Sequence, residues 1–350
     1  MASGEHRLLV ERAGSLFGFD RLAAALGRPR LAPYLFVVAV WVYDSGLLSA
    51  ISYVLVGRER FESPFQLVLP VALVVAVLLA RFLRRRYDGA IRGLPGDELS
   101  AADLRSVPAG RSRLAVWLGI TLVWYVQLAL SPAEVADFVA AHGTLVVAAK
   151  YLTVSPLYYL AVADVVALVV ASLVVLPWRL YNTRLTLDFS DVTGFAGLYG
   201  TGRLLLAATA VYYVGLTAWS AFLVAPNIVG TASDVSGADT VVFAALWLAG
   251  LLLYLAPTFL LHRHMAREKA RLIRAIDAEI RELDPDGERK GVPYLTPNRE
   301  DIPTLQQKYI ELQQVRTARE YPADVTTAGE LAAATLVPVL LQWGLRVVPL

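Results

Sequence analysis

Apolar residues along this chain gather in long uninterrupted runs, not in the alternating or one-faced patterns of a water-soluble domain. The runs are Ala32–Val56, Phe65–Leu83, Leu114–Ser131, Pro156–Trp178, Leu204–Val229, Val241–Leu261 and Leu331–Leu350. At ~1.5 Å per helical residue, runs of this length match a hydrocarbon core of ~30 Å. The pattern predicts an all-α fold, a polytopic membrane bundle of six or seven spans. Pro338 interrupts the last run, which either crosses or re-enters and leaves on the same side.

Between the runs the periodicity changes. Glu5–Arg30 is polar with spaced apolar residues (Leu8, Leu9, Val10, Leu16, Phe17, Phe19, Leu22 and Leu26) and predicts a helix lying at the membrane surface. Beyond the sixth run the charged stretch from His262 to Leu283 carries Leu272, Ile276, Ile280 and Leu283 at helical spacing. After Asp284-Pro285-Asp286-Gly287, the stretch Pro303–Tyr321 repeats the pattern with Leu305, Tyr309, Leu312 and Val315. Two narrow stripes joined by a Gly/Pro-containing connector predict an antiparallel hairpin. Each stripe faces its partner or a neighbouring subunit; Leu272, Ile276, Ile280, Leu305, Tyr309 and Leu312 are therefore candidate contacts of a homo-oligomer. The chain divides into an N-terminal segment 1–31, a six-span bundle 32–261, a hairpin 262–323 and a terminal membrane helix 324–350.

Composition agrees with the pattern: 57% of the 350 residues are hydrophobic, 18% are charged, and the mean hydropathy is +0.54. The net charge of +2 gives no electrostatic reason to expect a nucleic-acid partner. With no cysteine, disulfides, thiol catalysis and cysteine-ligated metals are excluded. The first thirty residues lack a short apolar core with a cleavage site, so no cleaved signal peptide is expected.

Arginine placement sets the expected orientation. Arg7, Arg12, Arg21, Arg28 and Arg30 precede the first run, and Arg84, Arg85, Arg86, Arg92, Arg105, Arg111 and Arg113 fill the second connection. Arg179, Arg184 and Arg203 lie in the fourth, and Arg263, Arg267, Lys269, Arg271 and Arg274 follow the sixth run. The alternate connections are poorer in positive charge. The positive-inside rule then predicts a multi-pass protein of the cell membrane with its N-terminus and hairpin in the cytoplasm.

Ionisable groups within a bilayer need a partner, water or a function. Asp44 lies near the middle of the first run beside Tyr43, and Asp164 in the outer half of the fourth, near Tyr158 and Tyr159. They are candidates for an ion or proton path, or for structural hydrogen bonds. Gln127, Tyr212 and Tyr213 are further candidates for a polar pocket, and Glu330 and Gln342 for a pore lined by the last run. His262 and His264 are two residues apart and point to different sides of a helix, so no metal site is expected. No nucleophile elbow, metalloprotease helix or Walker loop is present, and neither an enzyme nor a cofactor is expected.

Two stretches resemble an uncharacterised family of prokaryotic multi-spanning proteins. In Leu187–Leu198, an acid precedes the turn Gly194-Phe195-Ala196-Gly197-Leu198, without the histidine-proline pair of that pattern. Arg319-Glu320-Tyr321-Pro322-Ala323-Asp324 is similar to a Glu-Trp-Pro-Phe-Asp signature ahead of a final apolar run. The resemblance implies no activity. The architecture, with cytoplasmic helices leading into a terminal span, resembles that of insect odorant and gustatory receptor channels. That likeness implies subunits joined through the hairpin and a pore lined by the last span.

The leading expectation is therefore an oligomeric ion channel or channel-like receptor. A non-conducting scaffold or sensor that docks a cytosolic protein through the hairpin is one alternative. A proton-coupled transporter using Asp44 and Asp164 is the other.

Overall fold

A computed structural model describes residues 7–57, 68–94, 104, 110–182, 187, 189, 196–228, 237–283 and 302–318, with backbone alone for 219–228, 237–240 and 302. Every element among them is helical. The helices are α1 (Leu9–Leu16), α2 (Phe19–Ala25), α3 (Pro29–Val56), α4 (Val68–Arg92), α5 (Gly110–Leu130), α6 (Pro132–His142), α7 (Thr144–Asn182), α8 (Tyr199–Ile228), α9 (Gly237–Leu283) and α10 (Ile302–Thr317). Four of them are long and apolar enough to cross a bilayer: α3, α5, α7 and the Val241–Leu283 part of α9. Within α4, the described apolar stretch ends at Arg81, and Arg84, Arg85 and Arg86 follow.

The expected surface helix at the N-terminus is two short helices. Gly18 adopts φ 82°, a left-handed conformation that glycine reaches without steric penalty, and the chain bends there between α1 and α2. Leu8, Leu9 and Val10 are buried in the main core, so α1 is part of the bundle. Leu16 and Phe17 at the end of α1, and Leu22 and Leu26 on α2 and at its end, stay exposed.

The fourth apolar run belongs to a helix that begins earlier than hydropathy indicates, at Thr144. Lys150 and Pro156 do not break it. The Lys150 ammonium sits 5.1 Å from the centre of the Phe138 ring, a favourable place for a cation. The turn just before Pro156, Lys150–Val154, is a π-helical bulge, a wider turn that accommodates local disruption of the α-helical ladder. The connection ahead of α7 holds a helix of its own, α6, with Pro132 in its first turn.

α7 is the central strut. α5 runs antiparallel to it: Trp117 Nε1 donates to the Pro156 carbonyl (2.8 Å), and the Tyr125 hydroxyl to the Tyr151 carbonyl (3.0 Å). α3, α4 and α8 share the same core. α9 crosses α8 closely at Gly250, where Tyr212 and Tyr213 lie against its Cα. The two phenols donate to the carbonyls of Leu246 and Trp247 (2.6 and 3.1 Å).

Beyond its apolar part, α9 continues unbroken as a charged helix to Leu283. α10 lies antiparallel along it, with Lys308 on Glu279 (2.7 Å), Arg316 on Asp277 (3.8 Å) and Lys269 Nζ donating to the Ala318 carbonyl (2.8 Å). Ile276, Ile280, Leu305, Leu312 and Val315 form a core separate from that of the bundle, with Leu272 and Tyr309 at its edge. The turn joining the two helices and the terminal run Leu331–Leu350 lie outside the described residues.

Candidate functional site: a buried carboxylate beneath the N-terminal helix

The first turn of an α-helix leaves N–H groups without an intrahelical partner. Leu8, the residue that starts α1, has no side-chain oxygen to offer them. A remote residue supplies the acceptors. Asp164, from the middle of α7, accepts the Leu9 N–H on Oδ1 (2.9 Å) and the Val10 N–H on Oδ2 (3.0 Å). Its carboxylate thus stands at the positive end of the α1 dipole.

Arg113, at the start of α5, completes the arrangement. Its Nη1 lies 3.6 Å from Asp164 Oδ1, and neither side chain has any exposed surface. The same nitrogen donates to the Arg7 carbonyl (2.8 Å). A buried carboxylate is costly unless paired and hydrogen-bonded. Asp164 has an ionic partner and two main-chain donors.

A second charged pair flanks the first. The Leu8 N–H reaches Glu11 Oε2 (3.2 Å), and Glu11 Oε1 takes Arg81 Nε (2.8 Å) and Nη2 (2.7 Å). Arg81 Nη1 donates to the Arg30 carbonyl (2.8 Å). Five segments of chain (α1, α3, α4, α5 and α7) are joined through these four side chains. Their chemistry is that of structural clamping: these polar contacts are all internal to the protein.

The other predicted site residues do not converge on this place. Asp44 sits in a π-helical turn of α3, Tyr43–Leu47, and accepts a hydrogen bond from the Tyr158 hydroxyl (3.2 Å). Tyr159 packs edge-on against Trp124. Tyr212 and Tyr213 clamp α9 as described, and Tyr43 packs against the core. Gln127, expected in a polar pocket, is exposed on the outer face of α5: helical phase places it between Val126 and Leu130, which are also exposed. Glu330 and Gln342 lie outside the described residues.

Arg81, near the inner end of the second apolar run, pairs with Glu11 and with neither of the two intramembrane acids. The cation on Asp164 is Arg113, which sequence places in a connection because it directly precedes an apolar run. The antiparallel register of α5 on α7 brings it there. Asp164 therefore lies level with the arginine-bearing ends of α4 and α5, and not toward the opposite side of the bundle.

The described residues of Leu187–Leu198 pack at the other core. Leu187, Phe189, Ala196 and Leu198 are buried against the α9–α10 cluster. Ala196 and Gly197 form a turn with φ 52° and 78°. Residues 319–324 lie outside the described set. Comparison with protein families, with curated proteins and with solved structures finds no match.

Proposed function

We propose that this protein is a membrane-embedded scaffold or sensor that carries a paired-helix module outside the bilayer and docks a protein partner there. The observation that carries the reading is the continuity of α9, one helix of 47 residues from Gly237 to Leu283. Its apolar half packs in the bundle, and its charged half holds a core of its own with α10. Both halves belong to one helix, so a tilt or rotation at one end is carried to the other, although Pro257 in the apolar half leaves the main-chain ladder one N–H short. The arginine distribution supports a cytoplasmic N-terminus and a cytoplasmic module. α4, α8 and Leu331–Leu350, added to the four long apolar helices, make up the proposed six or seven crossings.

Conduction and proton-coupled transport draw less support. Asp44 and Asp164 are engaged by Tyr158 and by α1 with Arg113. The proposed pore residues, Glu330 and Gln342, lie outside the described residues.

Purified protein in liposomes tests the choice. The scaffold reading expects no flux of monovalent ions or protons above protein-free vesicles. A flux altered by Glu330→Ala or Gln342→Ala overturns it in favour of a channel, and proton uptake by the wild-type protein that is abolished by Asp44→Asn in favour of a transporter. The docking element is tested by Ile310→Asp, which changes an exposed apolar residue of α10. A co-purifying partner should be lost from that variant while the fold is retained.

A further inference from the structure

A recess of about 240 Å³ opens beside the N-terminal helices, lined by Arg7, Glu11, Asp20, Arg30, Pro33 and Arg81 among others. We infer that it holds the phosphate group of a membrane phospholipid, gripped by the guanidinium groups of Arg7 and Arg30.

The main chains of these two arginines belong to the fold. The Arg7 carbonyl accepts from Arg113, and the Arg30 carbonyl from Arg81 (2.8 Å each). Their side chains are committed far less. Arg7 meets Asp20 only at 3.4 Å, with both side chains about half exposed, and the Arg30 residue is exposed. Arg81, by contrast, directs Nε, Nη1 and Nη2 at protein acceptors and neutralises Glu11. The α1 N-terminus is likewise taken, by Asp164. What remains for a ligand is two guanidinium groups on anchored main chains, opposed by a single weakly held carboxylate. A fork of N–H donors suits phosphate oxygens.

The surroundings point to a lipid as the source of the phosphate. Leu16 (84%), Phe17 (59%) and Leu26 (58%) are exposed at the ends of α1 and α2, the helices that supply Arg7, Glu11 and Asp20 at or near their starts. Residues 7–31 carry five arginines against two acids. An amphipathic segment of this kind lies at the headgroup level with its apolar residues in the acyl region. The inference rests on the membrane embedding of the chain and is independent of the scaffold role, which the flux assay tests separately.

The test uses the full chain in neutral detergent, titrated with short-chain phosphatidylglycerol and followed by native mass spectrometry and thermal unfolding. Phosphatidylglycerol should bind and raise the unfolding temperature. Each arginine near a headgroup is worth roughly fivefold in affinity. The Arg7→Gln/Arg30→Gln variant should then bind on the order of 25-fold more weakly. Arg92→Gln, an exposed arginine elsewhere on α4, should bind as the wild type does. Asp20→Asn, which removes the competing carboxylate, should bind more tightly, and it gives an answer even where the double variant does not fold. Affinity unchanged in both Arg7→Gln/Arg30→Gln and Asp20→Asn overturns the inference. Equal protection by inorganic phosphate at the same concentration overturns the lipid as the source.

Discussion

Asp164 Oδ1 lies 3.6 Å from Arg113 Nη1, with both side chains wholly removed from solvent. The two residues come from antiparallel helices far apart in sequence, and between them they hold the first turn of α1. Removing one partner leaves the other as an unpaired buried charge, a change that costs about 3–5 kcal/mol.

Asp164→Asn is therefore expected to destabilise the protein by that amount, although the amide is nearly isosteric. The loss should appear first at the N-terminus, as faster proteolysis within residues 7–26. Arg113→Met alone is expected to be as harmful. The double variant is expected to recover part of the loss, since neither charge is then stranded. A double-mutant cycle from thermal unfolding in detergent checks this; additive losses would remove the coupling.

The Asp44 pair is expected to behave differently. Tyr158→Phe deletes one hydrogen bond of 3.2 Å to a carboxylate, for a loss of about 0.5–3 kcal/mol. Asp44→Asn keeps an oxygen acceptor for the phenol and should cost less than Tyr158→Phe. Thermal midpoints of the two variants decide the order, and the reverse order would assign the carboxylate charge a further role.

These two acids also mark what the chain made legible. Hydropathy alone gave the all-helical architecture, because a bilayer-scale run leaves the backbone no alternative to satisfying its polar groups within a helix. The stripes Leu272–Ile276–Ile280 and Leu305–Leu312, repeats that match the helical period, are residues that α9 and α10 bring to one cluster. The partner of Asp164 was not legible. Arg113 and the Leu9 and Val10 N–H groups reach it through the register of α5 on α7 and the docking of α1. Neither leaves a mark in local spacing. The N-terminal segment was legible only in part, because its apolar residues fit a membrane surface and a protein groove equally well: Leu8, Leu9 and Val10 enter the core, while Leu16, Phe17, Leu22 and Leu26 stay exposed. The start of α7 was missed because Lys150 reads as a boundary until Phe138 is seen to cover it.

Lys308 gives a pH signature to the α9–α10 pair. Its ammonium donates to Glu279 (2.7 Å) and Glu311 (3.1 Å), and these bonds hold its pKa above the ordinary lysine value. A raised folded-state pKa stabilises fully below the unfolded value, about 10.4, and the contribution is lost as pH rises through the folded value. This lysine thus contributes no slope near neutrality and a decline only in strongly alkaline solution. Lys308→Met should cost under about 1 kcal/mol at pH 7, as exposed ion pairs do, and should abolish its share of the alkaline decline. Thermal midpoints scanned from pH 8 upward in both proteins provide the check.

The α9–α10 core should be separable from the bundle. Leu305 and Ile276 are buried against each other's helices, and truncating such a residue to alanine costs about 2–5 kcal/mol. In Leu305→Ala, amide exchange across 302–317 is expected to rise sharply, while protection in α5 and α7 stays at the wild-type level. Loss of protection throughout would mean that the two cores unfold as one.

Gly250 tests the join between the bundle and α9. A Cβ there would stand 2.5 Å from Tyr212 Cε1 and 2.9 Å from Tyr213 Cζ, closer than carbon atoms approach. The rings have little freedom to withdraw, because their hydroxyls are held by the Leu246 and Trp247 carbonyls on α9 itself. Gly250→Val must therefore push α8 and α9 apart, breaking both bonds and opening the small core around Tyr213, Leu216 and Phe243. Overpacking of this kind costs about 1–3 kcal/mol, and each lost hydrogen bond about 1 kcal/mol more. The chain has no cysteine, so a pair introduced at Leu216 and Phe243 reports the separation directly through its rate of disulfide formation. That rate should fall in Gly250→Val and remain high in Gly119→Val, where a Cβ meets nothing within 4 Å. An unchanged rate would show that α9 passes α8 without relying on the glycine.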